Sequence, residues 1–233
     1  MSGTTVVIPT LMKAPVHLQR NMEMLCRQDC DIILIDNSTA NLAKKFENMS
    51  SRIRIIYFPS NIGVNRAWNL GVAAAETEYY LILNDDCLVW SRCIARSESI
   101  LVDRKIGLLT YRTMTETRPE IHYSLFMNQY EKPDLVSMGP SHAQHTAGWF
   151  MYGRVAEYEP IPAELRIFYG DNFIYQTLRK KGLRTVIDRA NILYHEVSVT
   201  INSAFTAQQV AALFINEGTL YRQVEEKYGI GGH

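Results

Sequence analysis

No stretch of the 233 residues approaches the ~20 consecutive apolar positions needed to cross a bilayer. The opening MSGTTVVIPT also lacks the basic region and apolar segment of a secretory signal. The chain therefore reads as cytoplasmic with no membrane span. Neither charge is in excess: 24 Lys and Arg balance 24 Asp and Glu. That balance removes the broad basic field favoured by non-specific nucleic-acid binding, while leaving room for a local patch. Cysteine is scarce, and Cys26, Cys30, Cys87 and Cys93 contain no CxxC pair, so they read as reduced thiols rather than a zinc site or disulfide framework. GxGxxG and GxxxxGK[ST] are both missing, which disfavours a dinucleotide-dependent dehydrogenase and a P-loop kinase. Internal repeats and low-complexity tracts are absent as well.

What remains is a chain with 47% hydrophobic residues, enough for one compact α/β domain with at most a small appendage. Its first hundred residues alternate apolar, β-branched runs with helical patterns, the mark of a parallel sheet covered on both faces. Strands are expected at Thr4 to Ile8 (ended by Pro9-Thr10), Asp31 to Ile35, Arg54 to Phe58 and Tyr79 to Leu83. Helices are expected at Val16 to Arg27, Asn41 to Met49 and Val64 to Ala75. From Thr113 to Thr146 no period holds, and so long an irregular segment suggests a functional loop. Order returns at Gly148 to Tyr152, in a helix over Asp171 to Lys181, and in short strands at Thr185 to Ile187 and Ile192 to Tyr194. An amphipathic helix over Ala207 to Tyr228 is expected to dock on the domain or on a partner.

Ligands of open α/β sheets bind beyond the carboxyl ends of the strands, so Thr10, Asp36, the Asn61 segment and Asp86 should share one rim. Asn84-Asp85-Asp86 ends a fully apolar strand. Two adjacent carboxylates there repel unless a divalent cation sits with them, although a solvated turn with Asp86 capping the next helix is the plainer alternative. Asp36 could contact a ribose or a base, or simply form an Asx-turn within Asp-Asn-Ser. The helix between Asn61-Ile62-Gly63 and Asn69-Leu70-Gly71 offers N–H donors and Arg66 to a diphosphate. Asp171 stands at a helix start, as a cap or as a general base. His195 follows an apolar strand and is either structural or a ligand.

Together these segments resemble the inverting family-two glycosyltransferases over about Thr4 to His195. The resemblance is carried by VVIPT with DNS, NIGVNRAWNLG, YYLILNDD and GDNFIYQTLRKKG. It implies a GT-A fold, a Rossmann-like α/β architecture whose mostly parallel central sheet is flanked by helices. Residues 1–200 would form that domain, with 1–111 binding the nucleotide-sugar and 112–200 holding the acceptor and catalytic groups; 201–233 would be a helical tail. By position, Asp36 matches the nucleotide-contacting acid, with Pro9, Thr10 and Leu11 as the wall of the base pocket. Asn84-Asp85-Asp86 matches the Asp-x-Asp metal motif, with Asp86 as principal ligand and His195 completing the site. Asp171 matches the catalytic base, and Gly148-Trp149 the turn beneath donor sugar and acceptor, with a core Trp as the alternative. Two departures stand out: Asn84 replaces the first acid, and Gly170 replaces the Glu that commonly precedes the base.

The activity so implied uses Mn²⁺ or Mg²⁺ and a nucleotide-sugar, UDP favoured, and transfers the sugar to a hydroxyl, a saccharide or glycoconjugate being the plain choice. A phage-type transferase acting on hydroxymethylated pyrimidines in DNA is the alternative, with Arg52, Arg54, Arg104, Lys105, Arg112, Lys180 and Lys181 available for a basic face. A non-catalytic nucleotide-sugar-binding module is a third reading. The C-terminal helix also leaves an oligomer open.

Overall fold

The computed structural model of the protein describes residues 3–114, 132–138, 148–195 and 205–231. Most of the irregular 113–146 segment lies outside them. Thr4–Thr10 (β1), Asp31–Asp36 (β2), Ile53–Tyr57 (β3) and Tyr79–Leu83 (β4) form the parallel half of the sheet, in the order β3-β2-β1-β4. β1, β2 and β4 are largely apolar on both faces because both faces are covered, while the edge strand β3 is only partly buried. Val6, Ile8, Ile32, Leu34 and Leu81 turn to one core, and Val7, Ile33, Ile35 and Ile82 to the other. Pro15–Leu25 (α1), a 3₁₀ helix at Leu42–Met49 and Cys93–Leu101 (α3) cover the first face. Val64–Ala73 (α2), Gly170–Lys180 (α4) and Ala207–Tyr228 (α5) cover the second. Gly71 permits the close seating of α2, since a Cβ there would fall 2.1 Å from Val7 Cγ1.

Among the described residues the sheet has nine strands. Beyond β4 it continues through Phe150–Arg154 (β8, antiparallel to β4), Ile106–Met114 (β6) and Arg184–His195 (β9) to the two-residue strand Cys87–Leu88 (β5), with Leu135–Ser137 (β7) also on β9. Three differences from the sequence expectation have clear causes. β1 runs through Pro9 to Thr10: Thr10 O accepts from Asn37 N on the β2 side, so Pro9 faces the β4 side, where pairing has already ended at Val7. A proline there forfeits no ladder bond. The two short strands expected near the C-terminal end are one strand, β9, in which residues 189–191 bulge between Asp188, paired with Tyr111, and Ile192, paired with Arg112. Asp188 holds the bulge by accepting from Ala190 N, Asn191 Nδ2 and the Arg96 guanidinium. The third is the 42–49 helix, which is 3₁₀ rather than α.

α5 docks on this chain. Tyr221 and Val224 join the core formed with Phe173, Ile174 and Leu178 of α4. Its start carries a capping box, with Thr206 Oγ1 accepting from Gln209 N and Gln209 Oε1 from Thr206 N.

Candidate active site

The carboxyl ends of β1 and β4 lie side by side, and the turns beyond them open one cavity of about 380 Å³. Pro9, Thr10 and Leu11 line it from the end of β1, Asn61 from the loop before α2, and Asn84, Asp85 and Asp86 from the turn after β4. Trp149, Asp171 and His195 complete the lining from the far half of the sheet. Asp36 and Arg66 are not in it. Asp36 is fully buried and spends its carboxylate on local backbone, Oδ1 on Ser38 N and Oδ2 on Ala43 N. Its neighbour Asn37 lines the cavity, with Oδ1 buried and unpartnered. Arg66 is exposed because Asn65, Trp68 and Val72 take the inner face of α2, which leaves position 66 outside.

Each acidic residue of the turn has its own place. Asp85 Oδ2 accepts from Thr10 Oγ1 at 2.5 Å, a bond that ties the ends of β1 and β4 together. Asp86 Oδ1 lies 3.2 Å from His195 Nε2, and both side chains are almost wholly buried. No hydrogen bond satisfies Asp86 Oδ1, nor His195 Nδ1. The sheet makes this meeting: β5 pairs antiparallel with the end of β9, Cys87 opposite His195, which sets Asp86 beside the imidazole. Asn21 of α1 fixes β5 in turn, donating from Nδ2 to Cys87 O and accepting at Oδ1 from Val89 N. Two ligands held 2.0–2.2 Å from one cation at about 90° are themselves about 3 Å apart, so the spacing suits a shared divalent ion. Among the described residues no group of three His, Cys, Asp or Glu side chains converges. Among the described residues the site is therefore this pair, without a larger cage.

Asp171 occupies the first turn of α4, where Oδ1 accepts from Asn172 N at 2.9 Å. Desolvation pushes its carboxyl up from 3.8 to about 6, against the backbone N–H groups of Asn172, Asp171 and Gly148, which favour the charged form. It keeps a little exposure, while protein encloses the rest. Gly170 before it has no room for a side chain, because a Cβ would stand 2.1 Å from Asn65 Oδ1. Asn65 occupies that space and ties α2 to the loop ahead of α4, donating to Leu165 O and Phe168 O. Asn69 does the same one turn on, clasping Ile161 and Tyr158. Asn65 and Asn69 of NIGVNRAWNLG are thus clips between segments, while Asn61 accepts locally from Gly63 N.

Several lining residues carry no clear mark in the sequence. Trp68 of α2 lines the cavity with an unpartnered, buried Nε1, beside Trp149, which the sequence does single out and whose Nε1 is likewise unpartnered, its ring 4.8 Å from that of His195. Gly148 makes the first possible, since a Cβ there would meet Trp68 at 2.4 Å. Trp68 offers one signal, its place one turn into the helix after Asn61-Ile62-Gly63. Phe168, Tyr169, Phe205 and Phe214 also line the cavity, and nothing in their local sequence distinguishes them from core aromatics. Five buried polar atoms without partners, on Asn37, Trp68, Asp86, Trp149 and His195, face the needs of one polar ligand.

Comparison with known proteins bears on the fold and the family. The model of the family described as Glycosyl transferase family 2 matches residues 5–157. TarS 1–349 of S. aureus superposes with a TM-score of 0.62 at 15% identity, covering 84% of this chain and 60% of that one. The mannosyltransferase PcManGT of Pyrobaculum calidifontis, solved with GDP-Man and Mn²⁺, gives 0.62 at 14%, covering 84% and 57%. The chain thus spans about three fifths of the length of these structures. No curated protein matches. The likeness shows a GT-A fold, and the match over most of its length places the chain in glycosyl transferase family 2.

Proposed function

We propose that the protein transfers a sugar from a nucleoside-diphosphate donor, UDP favoured, to a hydroxyl of a saccharide acceptor, with inversion at the anomeric carbon. The observation that carries this is a carboxyl raised to about 6, Asp171, in the same cavity as the buried Asp86–His195 pair. A base near neutrality and an anion-leaving site are the two requirements of a single displacement. Asp171 takes the acceptor hydroxyl proton, the oxygen forms its bond to the anomeric carbon, and the bond to the diphosphate oxygen breaks, its electron pair leaving with the diphosphate. Asp86 and His195 are the residues that would hold Mn²⁺ or Mg²⁺, and the unsatisfied buried Asp86 Oδ1, 3.2 Å from His195 Nε2, fits that role. The cation supplies Lewis-acid neutralisation of the departing diphosphate. Among the described residues these two are the candidate protein ligands, so a bound diphosphate would strengthen the hold on the cation.

Pro9, Thr10 and Leu11 form the wall of the base pocket, and Asn37 Oδ1 is placed to accept a base N–H. UDP is favoured through the family resemblance and because TarS is solved with UDP and with UDP-GlcNAc. A saccharide acceptor is favoured over DNA because the cavity lining contains no Lys or Arg among the described residues. Cys30, Cys87 and Cys93, all buried and free, suit a reducing, cytoplasmic setting. The test is UDP release from a panel of UDP-hexoses with Mn²⁺ and simple saccharide acceptors. Wild type is expected to turn over; Asp171→Asn is expected to lose turnover while binding UDP within about threefold of wild type. Undiminished turnover in Asp171→Asn would overturn the assignment of the base.

A further inference from the structure

Phe214 is half exposed on α5, although its ring belongs to an organised group. The ring of Phe168 meets it edge-on at 5.3 Å, and that of Tyr169 stacks on it at 5.2 Å. Tyr221 stacks behind Tyr169 at 5.1 Å. Tyr169 is held in the left-handed backbone region at φ 60°, which a bulky residue keeps only where its surroundings impose it. α5 imposes it. Gly218 leaves space for the phenol, since a Cβ there would lie 2.7 Å from Tyr169 Oη. The buried carboxylate of Glu217 accepts from Ile167 N and Phe168 N, fixing the loop before Tyr169.

The result is an aromatic wall along the cavity, ending two residues before Asp171. Neither the cation pair nor the base pocket needs it, and leaving half a Phe side chain in water forgoes burial that the core could supply. Resting on the transferase reading above, we infer that Phe168, Tyr169 and Phe214 form the acceptor subsite, against which the apolar face of a pyranose ring lies before its hydroxyl reaches Asp171. An aromatic face carries the negative side of its quadrupole, which suits the polarised C–H bonds of that sugar face. A polyanionic acceptor would need cations, and the lining provides none among the described residues.

Saturation-transfer NMR with millimolar methyl glucoside, galactoside and mannoside, in the presence of UDP and Mn²⁺, tests this on the full chain. Calorimetry with UDP on the same samples reports the donor site separately. Wild type is expected to saturate the ring C–H protons of at least one glycoside. Phe214→Ala should reduce that signal at least tenfold, and Phe214→Tyr should restore it. Equal saturation in wild type and Phe214→Ala overturns the subsite, as does an absence of saturation in a wild type that binds UDP. A Phe214→Ala variant whose UDP affinity falls as far as its glycoside signal also overturns it. Failure of wild type to bind UDP contradicts instead the transferase reading itself.

Discussion

At the scale of single residues, Asp171 couples activity to stability. In the proposed role of general base it must be ionised, so kcat/KM is expected to fall tenfold per pH unit below about 6, as a pH profile of UDP release will show. The sign for stability is opposite. Burial raises the folded-state value above the unfolded one, so the ionised carboxylate costs stability above pH 6, a cost relieved as pH falls through 6 toward 4. Two pH units correspond to about 3 kcal/mol, reduced to about 1–2 kcal/mol because water in the cavity reaches one side of the group. Asp171→Asn should therefore raise Tm by about 2–8 °C at pH 7.5, and the gap should close near pH 4 in thermal melts. Gly170 is a second case. Its identity is visible in the sequence as a departure, but the reason lies 105 positions away in Asn65, which fills the space. Gly170→Ala is expected to cost about 1–3 kcal/mol by overpacking, measured by denaturant unfolding.

At the scale of elements, the legible parts are those that bury an unbroken run. β1 to β4 and the helices between them announce themselves by apolar, β-branched content, and α5 by its period. β5 does not, because two residues have no periodicity, and it is the element that joins Asp86 to His195. Only the pairing with β9 defines it. β9 itself reads as two strands in sequence because Asp188-Arg189-Ala190-Asn191 resembles a turn, whereas Asp188 organises those residues as a bulge. Asn21 is one polar position on α1 by sequence, yet it closes β5 from both sides. Asn21→Leu leaves Cys87 O and Val89 N without their partner, at about 1–3 kcal/mol for a buried group so stranded. It should also weaken Mn²⁺-dependent UDP binding at least fivefold by loosening Asp86. A variant that loses stability with unchanged UDP affinity would separate the pin from the site.

At the scale of the whole molecule, equal numbers of acidic and basic residues leave two acceptor classes open in the sequence. The arrangement of the cations favours one of them. Arg52 pairs with Asp29, Arg104 with Glu78 and Lys181 with Glu159, while Arg54 and Lys180 donate to Ala74 O and Tyr228 O. Five of the seven cations named for a basic face are thus engaged within the chain, which lowers the charge offered to phosphates. Fluorescence anisotropy with duplex DNA is accordingly expected to show no binding tighter than about 10⁻⁴ M at physiological salt, the weak end of non-specific affinities. The rim itself is legible because the carboxyl ends of parallel strands bring their succeeding turns to one edge of the sheet; Asp36 stands on that edge opposite Thr10, yet it and Arg66 stay out of the cavity through burial and helix phase, which strand order alone does not specify. The measurement that bears most directly on the central claim is calorimetric titration of UDP with and without Mn²⁺. Affinity at least tenfold higher with Mn²⁺ is expected, together with loss of that gain in Asp86→Ala. Equal affinity with metal and with chelator, in a wild type that binds UDP, would contradict that claim.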